Sequence, residues 1–432
     1  MLALRFTFTI LRPLLTLCVL LATTSLAFAD GLPMASPESV GVSSERLERL
    51  PATMQRYIDA NLLAGTVSLV ARNGKVIQLE SRGWKNKETG EPMTADSIFV
   101  IMSMTKPIVS TALMMLYEEG RFLLTDPISN WIPELAAKEV IVKDASGSHR
   151  VPAVRPITVR HILSHTSGLD PDREDLTAAE IELLGREETL EATLVKRAPL
   201  PLAFQPGDSW QYGSSTDYVA LLVERISGQP LVEFLQERIF DPLQMHDTFY
   251  NVPRDKINRV AAVYSPTGPG KTIELSRTPE YRETSYFGGV AGLSSTISDY
   301  WRFSQMLLNG GELDGVRILS PKTLNLMISN HTGDLDVYVR GPGYGFGLGF
   351  GILTDVGKAR DPATPGTFTW GGAWGTIFWV DPVENMLAIM MTQITNYSHI
   401  NARQDITVTA MQSIIDSYSN KPYAVSPYHI LK

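Results

Sequence analysis

The period of the apolar residues changes several times along the chain, and those changes predict its elements. Ser43 to Leu63 repeats apolar positions at helical spacing and predicts an amphipathic helix. From Gly65 to Ser81 the pattern turns strand-like. Val67 and Leu69 answer Val76 and Leu79 across an Arg72-Asn73-Gly74 turn, which predicts a β-hairpin. Ser97 to Met102 is apolar and β-prone, and Pro107 to Tyr117 reads as a buried helix ending near Gly120. Pro107 has no N–H and is tolerated only in a first turn, so the helix starts within a few residues of it.

From Gly120 to about Thr284 the pattern predicts mainly helices and turns, punctuated by prolines, with one helix from near Ser215 to Gly228. After Thr284 strand signals return. Gly341 to Ile352 carries glycine at odd positions between Tyr344, Phe346, Leu348 and Phe350, which as one strand puts all bulk on one face and leaves the other bare for close packing. No helix-forming stretch and no acidic ribose partner follow it, so it is not a phosphate loop. Thr367 to Val380 and Met386 to Ile394 predict a hairpin through Asp381–Asn385, and Ala402 to Tyr418 a closing helix. The expected organisation is an α/β domain from residues 30–119 and 285–432 with a mainly helical domain, 120–284, inserted. The cleft between two such parts is where an active site is expected.

The first residues predict a leader. Arg5 and Arg12 precede an apolar stretch, and Ala27-Phe28-Ala29 fits a cleavage site, with the cut between Ala29 and Asp30 and a secreted or periplasmic mature protein. The stretch is short for an uncleaved anchor. Cys18, the single cysteine, falls inside the leader, so the mature chain is expected to have no disulfide, thiol nucleophile or cysteine-bound metal. The chain carries 38 basic and 46 acidic residues, a formal charge of −8. Losing Arg5 and Arg12 takes this to 36 − 46 = −10. With no basic run, nucleic acid and anionic membranes are poor partners. No later apolar stretch is long enough to span a bilayer, and the oligomeric state is left open.

Three short segments carry candidate chemistry. Ser103-Met104-Thr105-Lys106 is the only serine in the chain with lysine at +3, and it falls where strand gives way to helix. Free N–H groups and the positive dipole end there favour an anion at Ser103 Oγ and disfavour an ammonium on Lys106, whose side chain lies one helical turn away. That is activated-nucleophile chemistry of the Ser–Lys type. Tyr212, on the loop before the Ser215 helix, can direct a hydroxyl into a cleft and serve beside a lysine as a phenolate-like acid/base group. Ser214 and Asp217 have the spacing of a capping box. Trp370-Gly371-Gly372-Ala373 lets a backbone approach a ligand, and the N–H groups of Ala373 and Ser103 can form an oxyanion hole. Taken singly, each has a structural alternative: a capping serine with a solvated lysine, a packing tyrosine, a strand bulge. His161 and His165 read as structural, because no G-x-S-x-G elbow is present, and no metal-binding spacing occurs.

Together the segments Ser103–Lys106, Tyr212-Gly213-Ser214 and Trp370-Gly371-Gly372 resemble the three active-site motifs of the serine β-lactamase-like superfamily. They are most similar to the family VIII carboxylesterases, relatives of class C β-lactamases and D-Ala-D-Ala peptidases. Leu124–Pro127, His161–Leu169, Phe204–Gly207 and Leu307–Leu313 fit the same pattern in the same order. The resemblance implies an α/β fold of α+β type: a β-lactamase/transpeptidase-like antiparallel sheet flanked by helices. It implies that Ser103 is acylated, that Lys106 and Tyr212 form the acid/base pair, and that Ser103 and Ala373 N–H groups hold the oxyanion. Ser214, Trp370, Gly371 and Gly372 would line the substrate, and no cofactor is needed. Two departures bear on substrate. Ser214 stands where the lactamase branch has asparagine, and Trp370 where it has the lysine that attracts a carboxylate. An exported carboxylesterase for small, short-chain esters is therefore expected. The alternatives are a class C-like β-lactamase or D-specific amidase or peptidase, and a non-catalytic penicillin-binding-like sensor.

Overall fold

The organising sheet is assembled from two stretches of chain far apart in sequence. Its first part is β1 (Gly65–Arg72), β2 (Lys75–Asn86) and β3 (Glu91–Pro92). Its second is β4 (Tyr344–Phe346), β5 (Gly351–Leu353), β6 (Phe368–Gly371), β7 (Ile377–Asp381) and β8 (Met386–Met391). They form one eight-stranded antiparallel sheet in the order β4-β5-β6-β7-β8-β1-β2-β3, with β8 pairing β1 from Val67↔Met391 to Arg72↔Met386. The computed structural model describes residues 31–145, 147–268 and 270–419. The leader and its cut at Ala29/Asp30 lie outside them.

Both faces of the central strands are buried, which is why β8 reads as a continuous apolar run rather than an alternating one. Leu387, Ile389 and Met391 enter one core with Val67, Leu69, Phe378 and Val380. Met386, Ala388 and Met390 enter the other with Val70, Ile377 and Trp379. Helix α1 (Arg49–Asp59) and helix α5 (Ala402–Met411) supply the second core. The first core is supplied by α2 (Thr105–Glu118), α3 (Ser215–Ser227) and α4 (Ile297–Leu308). Among the described residues, the chain from Leu32 to Ser419 is one compact unit.

Several elements differ from their sequence expectations. Gly341–Ile352 is not one strand: β4 and β5 are joined by a turn in which Gly347 N–H donates to Phe350 O (2.8 Å) and Gly349 takes φ +97°. The bare face is nevertheless used, since a Cβ on Gly349 would overlap the side chain of Ser110 on α2. Thr367–Val380 likewise breaks into β6 and β7. The β-prone Ser97–Met102 run forms a strand only at Phe99–Val100, and α5 stops at Met411 rather than continuing to Tyr418. Residues 120–284 also hold two hairpins, Glu139–Asp144 with Gly147–Pro152 and Val263–Pro266 with Ile273–Arg277. Their strands are short and partly exposed, and Gly147–Pro152 has no apolar alternation to reveal it.

Candidate active site

Ser103 sits in a single 3-10 turn, Met102–Met104, that leads straight into α2. Met102 has φ +49°, a strained value for a side chain that is neither glycine nor asparagine, and it turns the chain from the Phe99–Val100 strand into the helix. Ile101 is fixed from both sides. Its N–H donates to Leu293 O (3.0 Å), and its carbonyl accepts from Thr376 Oγ1 (3.3 Å). The serine that follows is half-buried.

Lys106 is 1% exposed, one turn along α2. Its Nζ lies 3.2 Å from Ser103 Oγ and donates to Val290 O at 2.9 Å. Burial pushes its pKa down to about 7, a fall that the charges of Asp217 and Asp170 limit. At neutral pH a large share of this amine is therefore unprotonated. Donation to Val290 O leaves its lone pair for Ser103.

Tyr212 approaches from the other side. Its hydroxyl hydrogen-bonds the Ser103 side chain and accepts from Trp370 Nε1 at 3.1 Å, and its ring lies 4.5 Å from Lys106 Nζ. Burial raises its pKa, opposed by the hydrogen bonds from Ser103 and Trp370 and by the charge of Arg403. Burial thus favours the neutral phenol at rest, hydrogen-bonded to the serine it would serve as an acid/base group. Its ring packs among His165, Trp210 and Trp370, with centroids 5.0–6.1 Å away.

The third segment closes around the nucleophile turn. Trp370, next to last in β6, is 2% exposed, and its Nε1 donates to the Tyr212 hydroxyl. Gly372 N–H donates to Thr376 O at 2.8 Å, and a Cβ on Gly372 would overlap the Ile101 carbonyl oxygen and Thr376 Oγ1. Glycine here is what lets the loop bearing the exposed Ala373 lie against the residues before Ser103. Arg403, half-buried on α5, donates to Gly372 O.

Ser214 makes no capping bond through its side chain, and Asp217 does not reach back to it, so the expected capping box is absent. Ser214 N–H instead donates to Asp170 Oδ2 (2.9 Å), a carboxylate brought in where Gly213 has no Cβ. Asp217 accepts from Val290 N–H (2.9 Å) and Tyr286 Oη (3.2 Å), which places the carbonyl that receives Lys106. Asp170 and Val290 were not legible as site residues. For Val290 the signal is the glycine-rich run Gly288-Gly289-Val290-Ala291-Gly292, in which a Cβ on Gly289 would overlap Thr216 O. His161 accepts from Thr158 N–H through Nδ1 (3.1 Å) and caps its own short helix. His165 is buried and held far below the usual imidazole pKa by burial and by Lys106, so it supports Tyr212 as a neutral ring.

The Ser103, Tyr212 and Trp370 segments thus converge at one place, and the beta-lactamase family model matches residues 50–409. The chain belongs to the beta-lactamase family. It is 35% identical to protein Rv1367c of Mycobacterium tuberculosis over 79% of this chain and 88% of that one. It is 29% identical to esterase EstB of Burkholderia gladioli over 80% and 89% of the two chains. The structure of EstCE1, a hydrolase with promiscuous acyltransferase activity, superposes with a TM-score of 0.71 at 26% identity, covering 86% of this chain and 99% of that one. These likenesses, two of them to proteins named as an esterase and a hydrolase, confirm the beta-lactamase-type mixed fold. No cluster that could hold a metal and no membrane-length apolar helix occurs among the described residues.

Proposed function

We propose that this protein is an exported serine carboxylesterase that cleaves short-chain esters through an acyl-enzyme on Ser103. The single observation that carries the reading is the buried Lys106 amine, 3.2 Å from Ser103 Oγ and held near neutrality at a helix start. The likeness to proteins named as esterases supports ester hydrolysis. Export rests on the leader pattern of the first residues.

In this mechanism Ser103 Oγ attacks the ester carbonyl and its proton passes to Lys106. The oxyanion is received by the N–H groups of Ser103 and Ala373. The C–O bond to the alcohol then breaks, and Tyr212, whose hydroxyl is hydrogen-bonded at this point, passes a proton to the departing oxygen and is reprotonated from Lys106. Water attacks the acyl carbonyl with Tyr212 and Lys106 accepting its proton, and Ser103 leaves as the free hydroxyl. Neither Trp370 nor Ser214 offers the lysine or amide group with which the lactamase branch holds its substrate. Steady-state kinetics on one preparation should give p-nitrophenyl acetate or butyrate a far higher kcat/KM than benzylpenicillin. A lactam value equal to or above that of the best short ester would replace this reading with a β-lactamase or D-specific amidase. Failure to turn over any ester or lactam would leave the non-catalytic sensor.

A further inference from the structure

Beside the nucleophile lies a cavity of about 700 Å³ bounded by Met102, Ser214 and Val290, the immediate neighbours of the Ser103–Lys106–Tyr212 group. Four arginines also line it: Arg186, Arg197, Arg277 and Arg282. Such a concentration of positive charge is unexpected in a chain whose formal charge is −8.

Two of these guanidiniums are oriented without being neutralised. Arg186 lies 3.5 Å from the ring centre of Tyr286, and Arg277 lies 5.3 Å from that of Trp374. Aromatic faces fix a guanidinium plane while leaving its N–H edge free for a planar anion. Among the described residues, no carboxylate comes within ion-pairing distance of either. Arg197 donates to Leu184 O (2.6 Å), and its Nε is buried without a hydrogen-bond partner. Arg282 alone pairs with an acid, Glu280.

Against these four arginines the same cavity has two acidic side chains, Asp217 and Glu283, each engaged by other donors. Both oxygens of Asp217 are used, by Val290 N–H and Tyr286 Oη, and burial raises its pKa. Glu283 accepts from Tyr281 Oη at 3.2 Å. A cleft lined by one sign of charge concentrates ligands of the other sign and recognises carboxylates through paired N–H donors.

We propose that these arginines form an anion subsite and that the substrates are esters bearing a second, carboxylate group remote from the scissile carbonyl. This inference rests on the esterase reading and narrows its substrate class. It is not the lactamase subsite, whose charge partner stands at the position Trp370 fills here.

The test compares matched pairs at low ionic strength. One pair places the charge in the acyl part: mono-4-nitrophenyl suberate against 4-nitrophenyl nonanoate. The other places it in the alcohol: 4-carboxyphenyl butyrate against 4-(methoxycarbonyl)phenyl butyrate. At least one pair should favour the anion by about tenfold or more in kcat/KM, the lower end of electrostatic focusing. The ratio should fall towards one with added salt and in an Arg186→Gln/Arg277→Gln double variant. Neutral esters turned over with no anion preference in either pair, or a preference that survives the double substitution, would overturn the inference and leave the esterase reading standing. Turnover of no ester at all would remove both.

Discussion

Burial of Lys106 opposes its charge, and the same burial makes it useful. With a pKa of about 7, the amine can accept the Ser103 proton only on the alkaline side of that value. The activity kcat/KM should therefore rise through a single ionisation near pH 7 and be lost below it, which a pH–rate profile on a neutral ester reads directly. The stability effect has a definite sign. The folded pKa lies below the ordinary value of 10.5, so between about pH 7 and 10.5 the unfolded chain binds the extra proton. This group's penalty is complete below pH 7 and relieved as pH rises through that window. An inactive Lys106→Met variant should resist urea better than the parent at pH 6, with the gap closing towards pH 10; an equal gap at both ends would assign the effect to packing instead. Tyr212→Phe removes one hydroxyl that Ser103 and Trp370 both use. Its kcat should fall by about 10²–10⁴-fold, the usual worth of an acid/base group, with the fold retained. His165→Ala, tested beside it, should lower Tm more than kcat, because the ring is a neutral packing partner.

The loop between β6 and β7 positions the site without any reactive side chain. Gly372→Ala would force its Cβ into Ile101 O and Thr376 Oγ1 and push the Ala373 backbone away from the nucleophile turn. A loss of roughly 10²–10³-fold in kcat is expected, as for removal of one oxyanion donor, and KM and Tm should be measured with it. Elements of this kind also mark where the sequence was legible. The helix starts at Thr105 and Ser215, the Gly228 stop and the β1–β2 and β7–β8 hairpins follow local periodicity and turn residues, and the sequence predicts them. Ser103, Lys106, Tyr212 and Trp370 were found because three short motifs fall in a familiar order. The roles of Asp170, Asp217 and Val290 depend on which remote backbone fills the space left by Gly213 and Gly289, and no periodicity encodes that. Trp370 was legible as a site residue but not as a buried one, since its exposure depends on Tyr212, Phe346 and the β5–β6 pairing around it.

Across the whole molecule, the two sequence-distant parts of the sheet are locked by Arg72 at the end of β1. Its guanidinium pairs with Glu384 Oε2 at 2.8 Å and donates to the carbonyls of Val40, Gly41, Glu384 and Asp416. Removing one partner of a buried, fully bonded pair leaves the other uncompensated, at a cost of roughly 3–5 kcal/mol. Arg72→Met should lose about that much in urea unfolding while the folded fraction keeps its kcat, since the pair lies on the core face away from Ser103; a change below about 1 kcal/mol would show that the termini do not depend on it. The chain as a whole also provides the most direct test of the acyl-enzyme. Intact-mass spectrometry after treatment with a fluorophosphonate probe should show a single adduct, located by peptide mapping on Ser103. Ser103→Ala should neither label nor hydrolyse esters. Labelling on any other serine, together with ester hydrolysis that survives in Ser103→Ala, would contradict the assignment of Ser103 as the nucleophile.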